Sequence, residues 1–296
     1  MTEAERITSQ GILPKKFLEE EIRCDFTVSS TIKKIWAIEL EMMFEFDRIC
    51  KKNGLKYFLM YGTLLGAIRH KGFIPWDDDV DVGMPREDYE KLLTLKDEFK
   101  HPLFLQNHIT DPEYCSSYTR IRNSNTTAIS KMLKYQKMNH GIFLDVFPFD
   151  NTPGIETEDR HEPIDILNRE NGTFMKLKNP ELDEKNRLRV QNYSGRDPSD
   201  TLKEIDEIAT RYNGTETEYV CSIVNTMGKF DFFKRSDVFN TILWDYEGFK
   251  FPIPTGYDAV LKEVFGDYMQ MPPVEKRGIQ HSHYIFDPDK PYQDYL

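Results

Sequence analysis

The sequence has no run of apolar residues long enough to span a bilayer, no Gly-x-x-x-x-Gly-Lys-Ser/Thr stretch and no Gly-x-Gly-x-x-Gly fingerprint. These absences set aside a membrane-spanning carrier, a P-loop ATPase and a nicotinamide enzyme; Gly54, Gly62 and Gly66 have the wrong spacing for a dinucleotide fold. Cysteine is scarce. Cys24, Cys50, Cys115 and Cys221 lie too far apart for a zinc ribbon and are too few for a disulfide scaffold. Positive charge is in deficit, with 39 Lys and Arg against 50 Asp and Glu and a formal net charge of -11. A chain without a basic surface cannot displace counterions from a nucleic acid, so no nucleic-acid partner is expected. The opening MTEAERITSQG has neither the basic start nor the apolar run of a secretory signal, and the expected location is cytoplasmic. Repeats and heptad arrays are also missing.

What remains is an ordinary soluble composition with 20 Phe, 15 Tyr and 3 Trp, rich enough in aromatics to line a pocket. Its 296 residues suit one large domain or a catalytic domain with a helical annex. Residues 1–30 read as an irregular lead. Ser29 and Ser30 offer a cap for a helix whose apolar positions Ile32, Trp36, Leu40, Met43, Phe46 and Cys50 recur every three or four residues until Asn53-Gly54. Strands are expected at 56–60, 80–84, 103–106, 118–122, 127–130 and 142–147, the last closed by Pro148; short helices are expected at LLGAIR and after Asp88. Together, residues 31–150 form the core. Residues 151–215 are polar, with Asn-Gly, Asn-Pro, Ser-Gly and Asp-Pro breakers, and read as a helical or loop-rich insertion. Residues 216–296 complete the domain, with a helix near 257–265 and a tail, GDYMQMPPVEKRGIQHSHY, read as an ordered cover.

The stretch IRHKGFIPWDDDVDVGMP places Asp77, Asp78, Asp79 and Asp81 within five positions and then enters an apolar segment. In extended chain, residues two apart face the same way, so Asp79 and Asp81 project together while Val80 and Val82 enter the core. Paired carboxylates beside an apolar sheet call for a compensating cation, and oxygen donors match Mg2+ or Mn2+ better than zinc. Asp77 continues the period as a further ligand or as an acceptor behind the ligands, whereas Asp78 should point elsewhere. An EF-hand is the rival reading, but Val82 stands where its glycine belongs and Asp88 where its glutamate belongs. Just upstream, Gly62 permits close backbone approach, and Thr63 opens a helix end that favours phosphate. Arg69, His70 and Arg122 are candidate partners for a diphosphate; Arg120 shares Arg122's face. Asp145, inside the apolar strand of HGIFLDVFPFD, is a third acid that serves as metal ligand, general base or both. Asp150, past Pro148, reads as a surface cap. In the tail, Arg277, His281 and His283 either close over the site or serve the fold.

The segment YGTLLGAIRHKGFIPWDDDVDVGMPREDY closely resembles the signature of the LicD-type phosphotransferases, relatives of fukutin in the nucleotidyltransferase-like superfamily. HGIFLDVFPFD and the region from Phe251 to His281, with FGDYM and a Pro pair, are also similar. The resemblance implies an α+β fold, a minimal polymerase-beta-like mixed sheet flanked by helices, with the polar insertion and C-terminal cover added. It implies transfer of a phospho-alcohol, above all phosphocholine, from CDP-choline or another CDP-alcohol to a hydroxyl of a cell-surface glycan such as a teichoic acid or lipopolysaccharide precursor, releasing CMP. A lipid-linked acceptor would bring the chain into transient contact with the inner membrane face. On this chain, Gly62 and Thr63 match the nucleotide-side motif, Asp79 and Asp81 the metal pair, Asp77 the first aspartate of the spaced triplet and Asp145 the third acid. Aromatics near the site, Tyr61, Trp76, Phe147 and Phe149, with Tyr246, Phe249, Tyr257 or Tyr284 from the C-terminal part, favour a choline head. The alternatives are ribitol or glycerol phosphate transfer, nucleotidyl transfer, or a nonenzymatic glycan- or calcium-binding module.

Overall fold

The computed structural model describes residues 1–154, 159–224, 232–278 and 281–296. Its lead is more ordered than expected: α1 (Glu3–Ser9), capped by Thr2 and Glu5, is followed by a hairpin of β1 (Glu21–Arg23) and β2 (Phe26–Val28). Both pairs satisfy their backbone groups locally, which hydropathy periods over so few residues do not reveal. The long helix α2 (Ser30–Asn53) begins where Ser29 accepts a hydrogen bond from the Ile32 N–H, and ends at Gly54 in the left-handed region at φ 66°. One face of α2 is buried against the sheet. There Trp36 stacks on Phe73 with ring centroids 4.7 Å apart and donates its indole N–H to the Asp77 carbonyl at 3.1 Å. This face therefore supports the aspartate loop directly, and deleting a Trp buried this deeply costs about 3–5 kcal/mol.

Next come β3 (Phe58–Leu59), α3 (Tyr61–Arg69), β4 (Asp81–Pro85) and α4 (Arg86–Thr94), then β5 (Leu103–Gln106), β6 (Thr119–Asn123), β7 (Thr127–Ser130) and β8 (Ile142–Thr152). The main sheet is mixed. β8 is its spine, parallel to β4 on one edge and antiparallel to β6 and then β9 (Tyr219–Cys221) on the other. β3 flanks β4, β5 flanks β6, and β10 (Phe232–Lys234) flanks β9. Gly83 in β4 has no substitute: a Cβ there would lie 2.3 Å from the Phe58 ring and 2.7 Å from that of Phe149, which meet over it.

Two expectations about β8 are corrected. The strand runs through Pro148, because the missing N–H falls at a gap: Val146, Pro148 and Asp150 share one edge, where β6 pairing stops at Val146 and β9 pairing starts at Asp150. Asp150 is no surface cap but fully buried, receiving Arg86 through two contacts of 2.7 Å and the Asn213 amide at 2.7 Å. Residues past β8 form α5 (His161–Lys176), α6 (Glu184–Gln191) and α7 (Pro198–Ala209), with a small core of their own around Ile164, Leu202 and Ile205. After α8 (Arg235–Phe239), a hairpin of β11 (Thr241–Tyr246) and β12 (Phe249–Pro254) leads into α9 (Tyr257–Phe265), the helix expected there. The tail is a strand, β13 (His283–Asp287), paired with β7; Ile279 and Gln280 of its motif lie outside the described residues. Among the described residues no helix is long and apolar enough to cross a membrane.

Candidate active site

Register assembles the site. Asp81 in β4 stands directly opposite Asp145 in β8, and Asp145 stands opposite Arg120 in β6, so three neighbouring strands present acid, acid and guanidinium on one rung. Asp79 precedes the strand instead of lying within it; the ladder still reaches back to Val80, whose carbonyl accepts from the Asp145 N–H at 2.8 Å, and the extended chain turns Asp79 to the same side as Asp81. One carboxylate oxygen from each of Asp79, Asp81 and Asp145 lies within 4.8 Å of the others. α3 is fastened to this rung at its start: Asp81 donates its N–H to the Thr63 hydroxyl at 2.8 Å, and Met60 donates to the Asp81 carbonyl at 3.0 Å.

Electrostatics shows that the acids are in excess. Burial first, and then the Asp79, Asp145 and Asp77 charges, hold Asp81 well above the usual carboxylate range. Asp79 is pushed up to about 6, chiefly by burial, with His281 pulling back and Asp145 and Asp78 adding to the rise. Asp77, with its carboxylate against the Gly62 backbone, is raised by burial and by Asp79. Glu39, reaching in from α2, was not foreseen. It is fully buried, neither oxygen has a hydrogen-bond partner, and burial followed by the Asp79 and Asp78 charges holds it well above the usual carboxylate range. Among the described residues of the sheet, Arg120 offsets these acids, with Nε 2.6 Å from Asp145 Oδ1 and a terminal nitrogen 3.2 Å from Oδ2, its guanidinium lying 3.9 Å over the Phe143 ring. Converging, mutually repelling oxygen donors fit a hard divalent cation held by Asp79, Asp81 and Asp145.

Asp78 does not point elsewhere as expected: one of its oxygens lies within 4.8 Å of an oxygen from each of Asp77 and Asp79, and it also has a partnership of its own. Its buried carboxylate accepts from His281 Nδ1 at 3.1 Å and His283 Nε2 at 2.7 Å. Those bonds outweigh burial and leave Asp78 at about 2; the Asp78 bond and the nearby Asp79 charge likewise outweigh burial at His281 and lift it to about 9. His281 Nε2 also stands 3.6 Å from Asp79, so the tail closes over the acids.

Other expected residues are placed differently. Arg69 donates to the Tyr268 carbonyl at 2.7 Å and to His70 Nε2 at 2.9 Å, while Arg277 donates to the Pro272 and Cys24 carbonyls at 2.9 Å and lies over Trp76. Burial, then Arg69, push His70 down to about 4. Arg69 and Arg277 tie the C-terminal segment to the core, His70 sits beside Arg69 and Trp76, and none of the three lines the cavity beside the acids. Arg122 lies against the inner wall but is spent on Gln106 at 2.7 Å and the Gly141 carbonyl at 2.6 Å. Its face-mate Arg120 is the one that meets Asp145, which strand alternation allowed but could not select.

The acids open into a cavity of about 900 Å³, walled by Tyr61, Tyr118, Phe143 and Phe147 on the sheet side, by His281 from the tail and by Lys176 and Asn186 from the α5–α6 region. Against this geometry stand the comparisons with known proteins. Residues 54–178, which contain the whole rung, match the family model for the LicD/FKTN/FKRP nucleotidyltransferase domain. The chain is 26% identical over 259 residues, 85% of its own length and 96% of the relative's, to the lipopolysaccharide cholinephosphotransferase LicD of Haemophilus influenzae. Over 112 residues, 38% of this chain and 20% of the relative, it is 30% identical to human ribitol 5-phosphate transferase FKRP. A matched domain, a near full-length relative and a converging acid cluster agree on a LicD-like nucleotidyltransferase domain over residues 54–178, with a candidate metal site at its centre.

Proposed function

We propose that this LicD-family phosphotransferase moves phosphocholine from CDP-choline to a hydroxyl of a cell-surface glycan precursor and releases CMP. The observation that carries the reading is the shared rung of Asp81, Asp145 and Arg120 at the floor of a cavity with four aromatic walls. A quaternary ammonium offers no hydrogen-bond donor and is held by ring faces and nearby carboxylates, which this floor supplies together. Tyr61 and Phe147, from the aromatics singled out in the sequence, line the cavity, joined by Tyr118 and Phe143; Trp76 and Phe149 instead pack elsewhere.

In the reaction, the acceptor oxygen attacks the β-phosphorus, the bond from that phosphorus to the bridging oxygen breaks, and CMP leaves with the bridging oxygen. Asp79, Asp81 and Asp145, with Asp77 behind them, would hold Mg2+ or Mn2+, which when bound neutralises the diphosphate and supports the departing charge. Arg120 orients the Asp145 carboxylate, which takes the hydroxyl proton, a role worth about 10²–10⁴ in rate. The N–H groups at the start of α3 favour phosphate oxygens, Thr63 fixes that helix end to Asp81, and Gly62 leaves room for Asp77. Residues 31–150 carry this chemistry, 151–215 add to the wall and 216–296 close the site. The donor places the reaction in the cytoplasm, at the inner membrane face if the acceptor is lipid-linked.

Likeness to a ribitol phosphate transferase over the catalytic block supports a polyol donor as the second reading. Mass spectrometry of reactions containing Mg2+, acceptor glycans and, separately, CDP-choline, CDP-ribitol, CDP-glycerol or CTP decides between them. The expected product carries phosphocholine, with free CMP. A product retaining cytidine, or one formed only from CDP-ribitol, would overturn the proposal.

A further inference from the structure

The cavity's 900 Å³ lies near the upper end of the range for small-molecule sites, room for two reactants instead of one. Direct transfer requires donor and acceptor to be present together. The sheet wall is committed to the donor: acids and Arg120 for its phosphates, ring faces for its head group. The opposite wall differs in chemistry. It is built from the end of α5, the following turn and α6, and exposes Lys176, Asn179 and Asn186 between the apolar side chains Met175 and Leu182. Lys176 donates to the Asn186 side-chain oxygen at 3.1 Å, so the two polar groups are held as a pair.

This wall is anchored to the core. Met175 packs with Tyr114, Cys115, Leu133 and Met138, and its carbonyl accepts from the Gln136 amide. Lys178 pairs with Glu113, and Lys134 reaches Glu181 at 2.6 Å. Charge also sorts the cavity's ends. Lys176 would repel a quaternary ammonium, which belongs beside the acids, whereas amides and an ammonium flanked by aliphatic side chains suit the hydroxyls and C–H faces of a sugar.

We propose that the α5–α6 wall is the acceptor subsite and that it takes a hydroxyl-rich sugar, gripped by Lys176, Asn179 and Asn186. This assignment rests on the phosphotransferase reading for the donor's place but is tested without turnover. Saturation-transfer NMR with a panel of methyl hexosides, in the presence of CMP, is recorded for the parent protein and for Lys176→Met combined with Asn186→Leu; CDP-choline affinity is measured alongside by calorimetry. Loss of charged and neutral hydrogen bonds should weaken hexoside binding about tenfold or more. CDP-choline affinity should stay within about twofold of the parent. Asn179→Ala, on an exposed turn, repeats the test if the double variant folds poorly. Equal hexoside binding in parent and variants, or none in the parent, overturns the subsite. Hexoside binding that responds as expected in a parent that does not bind CDP-choline removes the donor reading and leaves the sugar site standing.

Discussion

Asp79→Asn separates the site's contribution to chemistry from its cost to the fold. The Asp79 side chain is only 12% exposed, and its pKa is pushed up to about 6 from an ordinary 3.8, mainly by burial and also by Asp145 and Asp78 against the opposing pull of His281. A carboxyl whose folded pKa exceeds its unfolded one supports the fold fully only below the unfolded value, and that support is lost as pH rises through the folded value. Two units correspond to about 3 kcal/mol at pH 8 and roughly half of that at pH 5. Asn has the same shape and no charge. In chelator, the variant should therefore be more stable than the parent by up to about 3 kcal/mol at pH 8, by about half as much at pH 5, and by only about 0.5 kcal/mol near pH 4. Urea unfolding at these pH values gives the difference directly. Adding Mg2+ should then stabilise the parent, by about 2.7 kcal/mol at a hundredfold excess over its Kd, and the variant far less, while phosphotransfer by the variant collapses. A variant less stable than the parent at pH 8 in chelator, or one with an undiminished Mg2+ response, would refute the view of Asp79 as a charge held in place for a cation.

Asp145→Asn should behave oppositely in the same chelated buffer, because it strands the buried Arg120 guanidinium; a loss of about 3–5 kcal/mol in urea unfolding is expected, and unchanged stability would show that Arg120 finds another partner. The Arg86–Asp150 pair is buried in the core, so Arg86→Met and Asp150→Leu alone should each cost about 3–5 kcal/mol, whereas the double substitution should recover most of that; additive losses in a double-mutant cycle would count against the pair as the reason.

Much of the architecture was legible in local pattern. The Ser29 cap, the three-to-four spacing through Cys50 and Gly54 define α2 on their own, as local hydrogen bonding and one-sided burial require. Strands at 103–106 and 127–130 and the helix at 257–265 follow equally well from alternation and period. Where the reading failed, partners distant in sequence overrode a local rule. Pro148 ordinarily ends a strand, yet its missing donor costs nothing at the gap between β6 and β9. Asp150 looks like a cap until Arg86, 64 positions away, arrives beside it. Backbone carbonyls engage Arg69 and Arg277, and Arg69 engages His70, contacts that residue type alone does not announce.

From its sequence alone this protein was bound to gather acids: Asp77, Asp79 and Asp81 recur at the two-residue period of extended chain, and Asp145 sits in an apolar strand where an unpartnered charge is costly. Only the tertiary structure decided which groups share a rung. Strand register set Asp81, Asp145 and Arg120 side by side, turned Arg122 to structural bonds, brought Glu39 in from behind and drew His281 and His283 onto Asp78. Register is a property of strand pairing and not of any one strand, so no single stretch of the chain contains it.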